Sequence, residues 1–247
     1  MIRALRMEWL RLRTLRSTWL ITALCLTCSA GLALALGLDG RDHVDLSLAA
    51  SVLNPGQPSP IAVLFGLLGV LAWGHDYRYG TIGPVLAVLP RRRELAMARV
   101  LVFTGFATGL ALVTLALALG AGLAATGGAL SAFLTQAPVP RMMLGSVLLA
   151  VGTGWLGLAC GAWLRSLPAA VAVLFAVPAL VEPSVALMLA KIDDGAENWL
   201  PFHGVGQLIL LDPRPDGPAP AVGAVIYLGL LLVLIAGAVT SFVHRDL

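Results

Sequence analysis

Uncharged apolar runs of about 20 residues recur along this chain, and a helix of that length crosses about 30 Å of hydrocarbon. In lipid an open sheet cannot satisfy its edge backbone groups, so runs of this length read as membrane helices. A soluble fold would need enough polar surface to coat it, yet 59% of the 247 residues are hydrophobic, 12% are charged and mean hydropathy is +0.91. The chain therefore reads as an all-α integral membrane protein. Six spans are expected, at about 17–38, 59–75, 99–126, 142–164, 167–190 and 219–243. The second is the weakest, because Pro55, Pro58 and Pro60 blur its start; it reads either as a span continuing past His75 or as a re-entrant loop. No fixed-period repeat or long linker divides the chain, so residues 1–247 form a single transmembrane domain.

Basic residues in short loops stay on the cytoplasmic side. With six spans, one face carries both termini, residues 76–98 and Arg165. That face holds twelve of the 16 basic residues: Arg3, Arg6, Arg11, Arg13, Arg16, Arg78, Arg91, Arg92, Arg93, Arg99, Arg165 and Arg245. Arg41, Arg141, Lys191 and Arg214 lie on the other. Both termini are expected inside. The net charge of +3 hides this polarity and implies no nucleic-acid partner.

At the N-terminus, residues 1–16 place Ile2, Leu5, Trp9, Leu12 and Leu15 at helical spacings, with the arginines mostly elsewhere around the helix. This predicts an amphipathic helix on the inner leaflet, against anionic lipid; a plain basic flank of the first span is the alternative. A cleaved signal peptide ending near "ALALG" is disfavoured, since the apolar run is too long for a signal core.

Residues for bond chemistry are scarce. Cys25 and Cys28 form a CxxC inside the first span and Cys160 lies alone in the fourth, positions that suit small apolar fillers. His43, His75, His203 and His244 are scattered, with no metal-ligand spacing, so neither a catalytic set nor a metal site is expected. The sole lysine, Lys191, stands outside any GxxxxGK[ST] phosphate loop, so ATP hydrolysis is not built into the chain. Small residues at four-residue spacing, Gly105 with Gly109 and Gly157 with Gly161, point to close helix packing inside one subunit.

Glu182 is the clear ionisable residue within a span, and two readings stand for it. It faces a translocation cavity, with Arg141 a candidate partner, or Glu182-Pro183 ends the fifth span early in the headgroups. Residues 191–218 contain "NWLPFHGVGQLILL", too apolar for a solvated loop and too interrupted to cross. They predict a re-entrant segment anchored by Trp199, with Gly204 and Gly206 easing its turn, against an extracellular cap as the alternative. Between the second and third spans, Ile82, Val85, Leu86 and Leu89 share one side of a short helix that Pro90 ends before Arg91, Arg92 and Arg93. Its apolar side suits a cytosolic protein.

In order along the chain, "EWLRLRTLRSTW", "DYRYGTIGPVLAVLPRRRELAMAR", "NWLPFHGVGQ" and the terminal "HRDL" resemble the membrane subunits of ABC transporters of the ABC-2 permease type. The second resembles that family's E-x-R-x-G-T followed by a P-R-R turn, with Asp76 where glutamate is common. The resemblance implies that residues 76–98 form a cytoplasmic coupling loop. Asp76, Arg78, Tyr79, Gly80 and Thr81, with the helix through Ile82, Val85, Leu86 and Leu89, would touch a cytosolic ABC ATPase present in two copies. Arg91, Arg92 and Arg93 serve as lipid anchors or join that contact. It further implies a second permease copy or related permease, ATP and Mg on the partner ATPase with no cofactor on this chain, and export of an amphipathic peptide, drug-like molecule or lipid. Fifteen arginines against one lysine, with heavy Ala, Leu and Gly usage, suggest a bacterial cytoplasmic membrane. Two other classes remain: a membrane-embedded enzyme built on Glu182 or His203, and a passive channel or scaffold.

Overall fold

A computed structural model of the chain describes residues 1–40, 44–53, 59–81, 83–84, 91–192, 195–213 and 218–244. Those residues contain helices and no strand. The elements are α1 (Ile2–Thr14), α2 (Arg16–Asp39), α3 (Leu46–Leu53), α4 (Pro60–Tyr79), α5 (Arg92–Ala125), α6 (Ser131–Leu134), α7 (Pro138–Leu164), α8 (Leu167–Leu189), α9 (Pro201–Gly206) and α10 (Pro220–His244). Six of them, α2, α4, α5, α7, α8 and α10, are long and apolar enough to cross a membrane.

Proline sets several starts. Pro60, Pro138, Pro168 and Pro201 occupy the first turns of α4, α7, α8 and α9, where the missing N–H has no intrahelical partner to lose. The second apolar run is a continuous helix that passes His75 and ends at Tyr79, so the re-entrant alternative for it does not hold. Gly80 closes it in the left-handed region at φ 64, a conformation that glycine adopts without Cβ strain. The third span starts at Arg92, a full two turns before its apolar run, and therefore carries Arg99 inside the helix. The segment between the first two spans holds α3, which seats Leu48, Ala49 and Val52 against α2 and α5.

The centre of the bundle is the α4–α7 pair. Their spans are 56% and 61% buried against 17% for α8, which places α8 at the periphery. Close approach comes from glycine. A Cβ at Gly157 would run into the carbonyl of Gly66, one at Gly69 into that of Gly154, and one at Gly161 would lie 2.8 Å from the Val70 carbonyl oxygen. Gly105 and Gly109 behave differently: a Cβ at either meets nothing within 4 Å, so the packing expected of that pair is absent and their side of α5 is open. Cys25 and Cys160 are buried free thiols among apolar neighbours and Cys28 is half-buried, as fillers should be.

In α8 the α-helix is interrupted at Val177–Val181 by a π-helical turn. Pro178 lies within it and cannot donate to the preceding turn, a recognised cause of such bulges. Met1, Arg91, Glu94 and Val243 line one cleft, so the start of the chain, the start of α5 and the end of α10 share one end of the bundle.

Candidate functional site

Two polar constellations stand out in an otherwise apolar molecule, at opposite ends of α4. The first gathers α1, α4 and α5. Asp76, near the end of α4, is buried with Glu8 of α1 and Arg99 of α5. Arg99 Nη2 lies 2.7 Å from Glu8 Oε1 and 2.8 Å from Asp76 Oδ2, while Arg11 reaches Asp76 Oδ1 at 2.9 Å and Glu8 Oε2 at 3.3 Å. Two acids and two guanidiniums sum to zero charge, the condition under which such groups tolerate loss of water. Arg99 is further held with its guanidinium carbon 4.1 Å from the ring centre of Trp73, a cation–π contact. For Arg11, burial and then the neighbouring Arg99 lower the guanidinium pKa from its ordinary value, and the two carboxylates oppose that shift.

Of the residues assigned to the coupling contact, Asp76 is thus engaged within the chain. Thr81 is exposed, yet its Oγ1 donates to Asp76 Oδ1 at 2.9 Å and its N–H to the Asp76 carbonyl at 3.1 Å. Arg78, Tyr79 and Gly80 are exposed at the same helix end. Ile82, Val85, Leu86 and Leu89 lie outside the described residues. Arg91 and Arg93 are exposed and Arg92 half-buried; Arg91 Nη1 pairs with Glu94 Oε1 at 2.8 Å, and the N-terminal ammonium pairs with the other Glu94 oxygen at 2.7 Å.

Glu8 and Arg99 were not singled out from sequence as site residues. On α1 the buried residues are Ala4 and Glu8, with Met7 packed half-buried on the core; of the expected apolar face Leu5 and Leu12 are half-buried, while Ile2 and Trp9 are exposed. The available signal was Glu8 itself, the one acid before residue 39 in a strongly basic stretch.

The second constellation sits where the α8 bulge meets α9. Glu182, buried, directly follows the π turn and accepts three hydrogen bonds from the 191–218 segment: from Phe202 N–H at 3.2 Å, from His203 N–H at 2.7 Å and from His203 Nδ1 at 2.9 Å. A carboxylate accepts only, which leaves Nδ1 as the donor. Arg141, the partner expected for Glu182, instead donates to the carbonyls of Leu210 and Leu211 at 2.6 and 3.1 Å. Gly204 lies inside α9, not at a turn, and lets α9 meet α10 at Gly223. Val205, Leu208 and Ile209 are buried in the core, so the 191–218 segment packs into the bundle at its middle, while Trp199 remains exposed.

A cavity of about 490 Å³ opens between α4, α7, α8 and α9. Leu149, Leu174, Phe175 and Pro178 supply apolar walls, and Thr153 and His203 bring polar groups to it. His203 lines the cavity, and with Nδ1 on Glu182 its Nε2 is the other polar atom of the ring.

No protein-family model matches the chain, and no curated protein matches it. Among the described residues, no group of three or more His, Cys, Asp or Glu side chains is arranged to hold a metal.

Proposed function

We propose that this chain is the permease subunit of an ATP-driven ABC-2 type exporter. It would work as a pair with a second permease and with two cytosolic ATPase subunits, crossing a bacterial cytoplasmic membrane with both termini on the cytoplasmic side. The observation that carries the reading is the sequence stretch "DYRYGTIGPVLAVLPRRREL" between two apolar helices, preceded along the chain by a basic amphipathic helix. Two features of the fold support it. The acid opening that stretch is tied by buried ion pairs to α1 and α5, so a push on residues 77–91 would reach three helices at once. The cavity beside Glu182 has the size of a ligand site, about 300–1,000 Å³. In this reading the chain performs no bond chemistry and binds no cofactor; ATP and Mg belong to the ATPase.

The test is co-purification with the proposed cytosolic ABC ATPase. Leu86→Asp should abolish pull-down of that ATPase while membrane insertion survives, because an unpaired carboxylate buried at a contact costs several kcal/mol. Arg92→Gln should reduce pull-down far less, as expected of a lipid anchor. Normal binding and ATP-driven transport by Leu86→Asp would remove the main support for the permease reading. The Glu182–His203 pair also favours a second reading, in which the imidazole acts as general base of a membrane-embedded hydrolase. That reading requires product formation by the purified chain without ATP or a partner.

A further inference from the structure

We infer that the cavity beside Glu182 and His203 binds amphipathic amines, molecules with one apolar chain and an ammonium head that carries N–H. The inference deepens the transporter reading and rests on it for the purpose of the cavity; the chemistry of recognition comes from the side chains. Among the described residues, Glu182 pairs with no arginine or lysine; its partner is His203. The candidate counter-ion Arg141 is turned to the Leu210 and Leu211 carbonyls.

The proton on Nδ1 is directed to the carboxylate, so the neutral ring offers a lone pair at Nε2. A carboxylate behind an imidazole strengthens it as an acceptor, as it does for metal-bound histidines. An ammonium N–H meeting that nitrogen makes a charge-assisted hydrogen bond, and its charge brings Glu182, His203 and ligand together to zero. A fatty acid or other anion would place a second negative charge beside Glu182 in a low-dielectric site. A quaternary ammonium would restore neutrality without donating. The chain of the ligand would lie on Leu174, Phe175 and Pro178, where the π turn opens α8. Space is available: a Cβ at Gly206, which lines the cavity, meets nothing within 4 Å.

The experiment uses the full chain in phosphatidylcholine nanodiscs with radiolabelled dodecylamine at neutral pH, binding to empty nanodiscs being subtracted. Saturable binding of about one amine per chain is expected, consistent with one ligand in a drug-sized pocket. Unlabelled dodecanoate should displace it at least about tenfold less well than unlabelled dodecylamine, a difference of about 1.4 kcal/mol, and dodecyltrimethylammonium should also compete less well. Glu182→Gln should weaken binding by about tenfold or more. Gly206→Leu should remove saturable binding by filling the cavity, without touching Glu182 or His203. If Glu182→Gln does not fold, the wild-type competition and Gly206→Leu still decide. Equal competition by dodecanoate, unchanged binding to a folded Glu182→Gln, or non-saturable partitioning alone would each overturn the inference. Absence of saturable amine binding to the wild-type chain with its ATPase pull-down intact overturns this inference only; absence of wild-type pull-down with amine binding intact overturns the transporter reading only.

Discussion

Arg99 carries more of this molecule than its place in a basic cluster suggests. It faces two carboxylates from two other helices and an indole ring, and it is 3% exposed. Removing it strands Glu8 and Asp76 in a site made neutral by four charges. Arg99→Met should therefore lower stability by about 3–5 kcal/mol, the usual cost of breaking a buried pair, read as a lowered melting temperature in detergent. In a double-mutant cycle, Glu8→Ala and Arg99→Ala should show coupling of about 0.5–3 kcal/mol; strict additivity would mean that the 2.7 Å contact contributes nothing. Glycine positions separate just as sharply. Gly157→Ala should cost about 1–3 kcal/mol or more through overpacking, because its Cβ meets the Gly66 backbone, whereas Gly105→Ala should be tolerated, with open space beside it. Equal melting temperatures for the two variants would contradict the α4–α7 packing.

At the scale of elements, α1 is attached to the bundle by charge as well as by apolar contact. Leu15 breaks the helix in an extended conformation (ψ 117), so α1 is a separate rod whose hold on the bundle depends on Ala4, Glu8 and Arg11. In a background lacking Cys25, Cys28 and Cys160, a cysteine at Ala4, which is fully buried, should resist a thiol reagent in purified protein. Adding Asp76→Asn, which withdraws the charge facing both arginines, should raise its labelling rate several-fold as α1 opens locally. Unchanged labelling would show that apolar contact alone holds α1. At the other end, the π turn of α8 and the short α9 are locked by one carboxylate, which binds two helices by accepting from the backbone of one.

For the whole molecule, the arginine asymmetry predicts one orientation in the membrane, and side-chain exposure decides which positions report it. Ala4 and Ala96 are too buried to report which side of the membrane they face. Ile192 and Tyr79 are exposed at 80% and 65% and lie at the two ends. In the same cysteine-free background, Ile192→Cys should react with an impermeant thiol reagent on intact cells. Tyr79→Cys should react only after permeabilisation. The reverse pattern would invert the topology and move the proposed coupling loop to the wrong side for an ATPase.

The six long helices were legible because a span of hydrocarbon imposes a length and forbids charge, and both constraints act locally along the chain. Their extensions, to Tyr79 in α4 and back to Arg92 in α5, were less so, because tertiary partners neutralise the polar residues that seem to end an apolar run. Glu182 was legible as an ionisable group within an apolar span, but its partner was not. Arg141 and His203 are both plausible by charge, and only the seating of α9 against the α8 bulge brings His203 and its backbone N–H groups to the carboxylate. Likewise the amphipathic pattern of residues 1–16 predicts a helix, while the choice of Glu8 as its inward residue depends on Arg99, 91 positions away. Local sequence determines which segments must be helical and apolar; pairing of buried charges depends on which helix ends meet, and only the tertiary structure decides that.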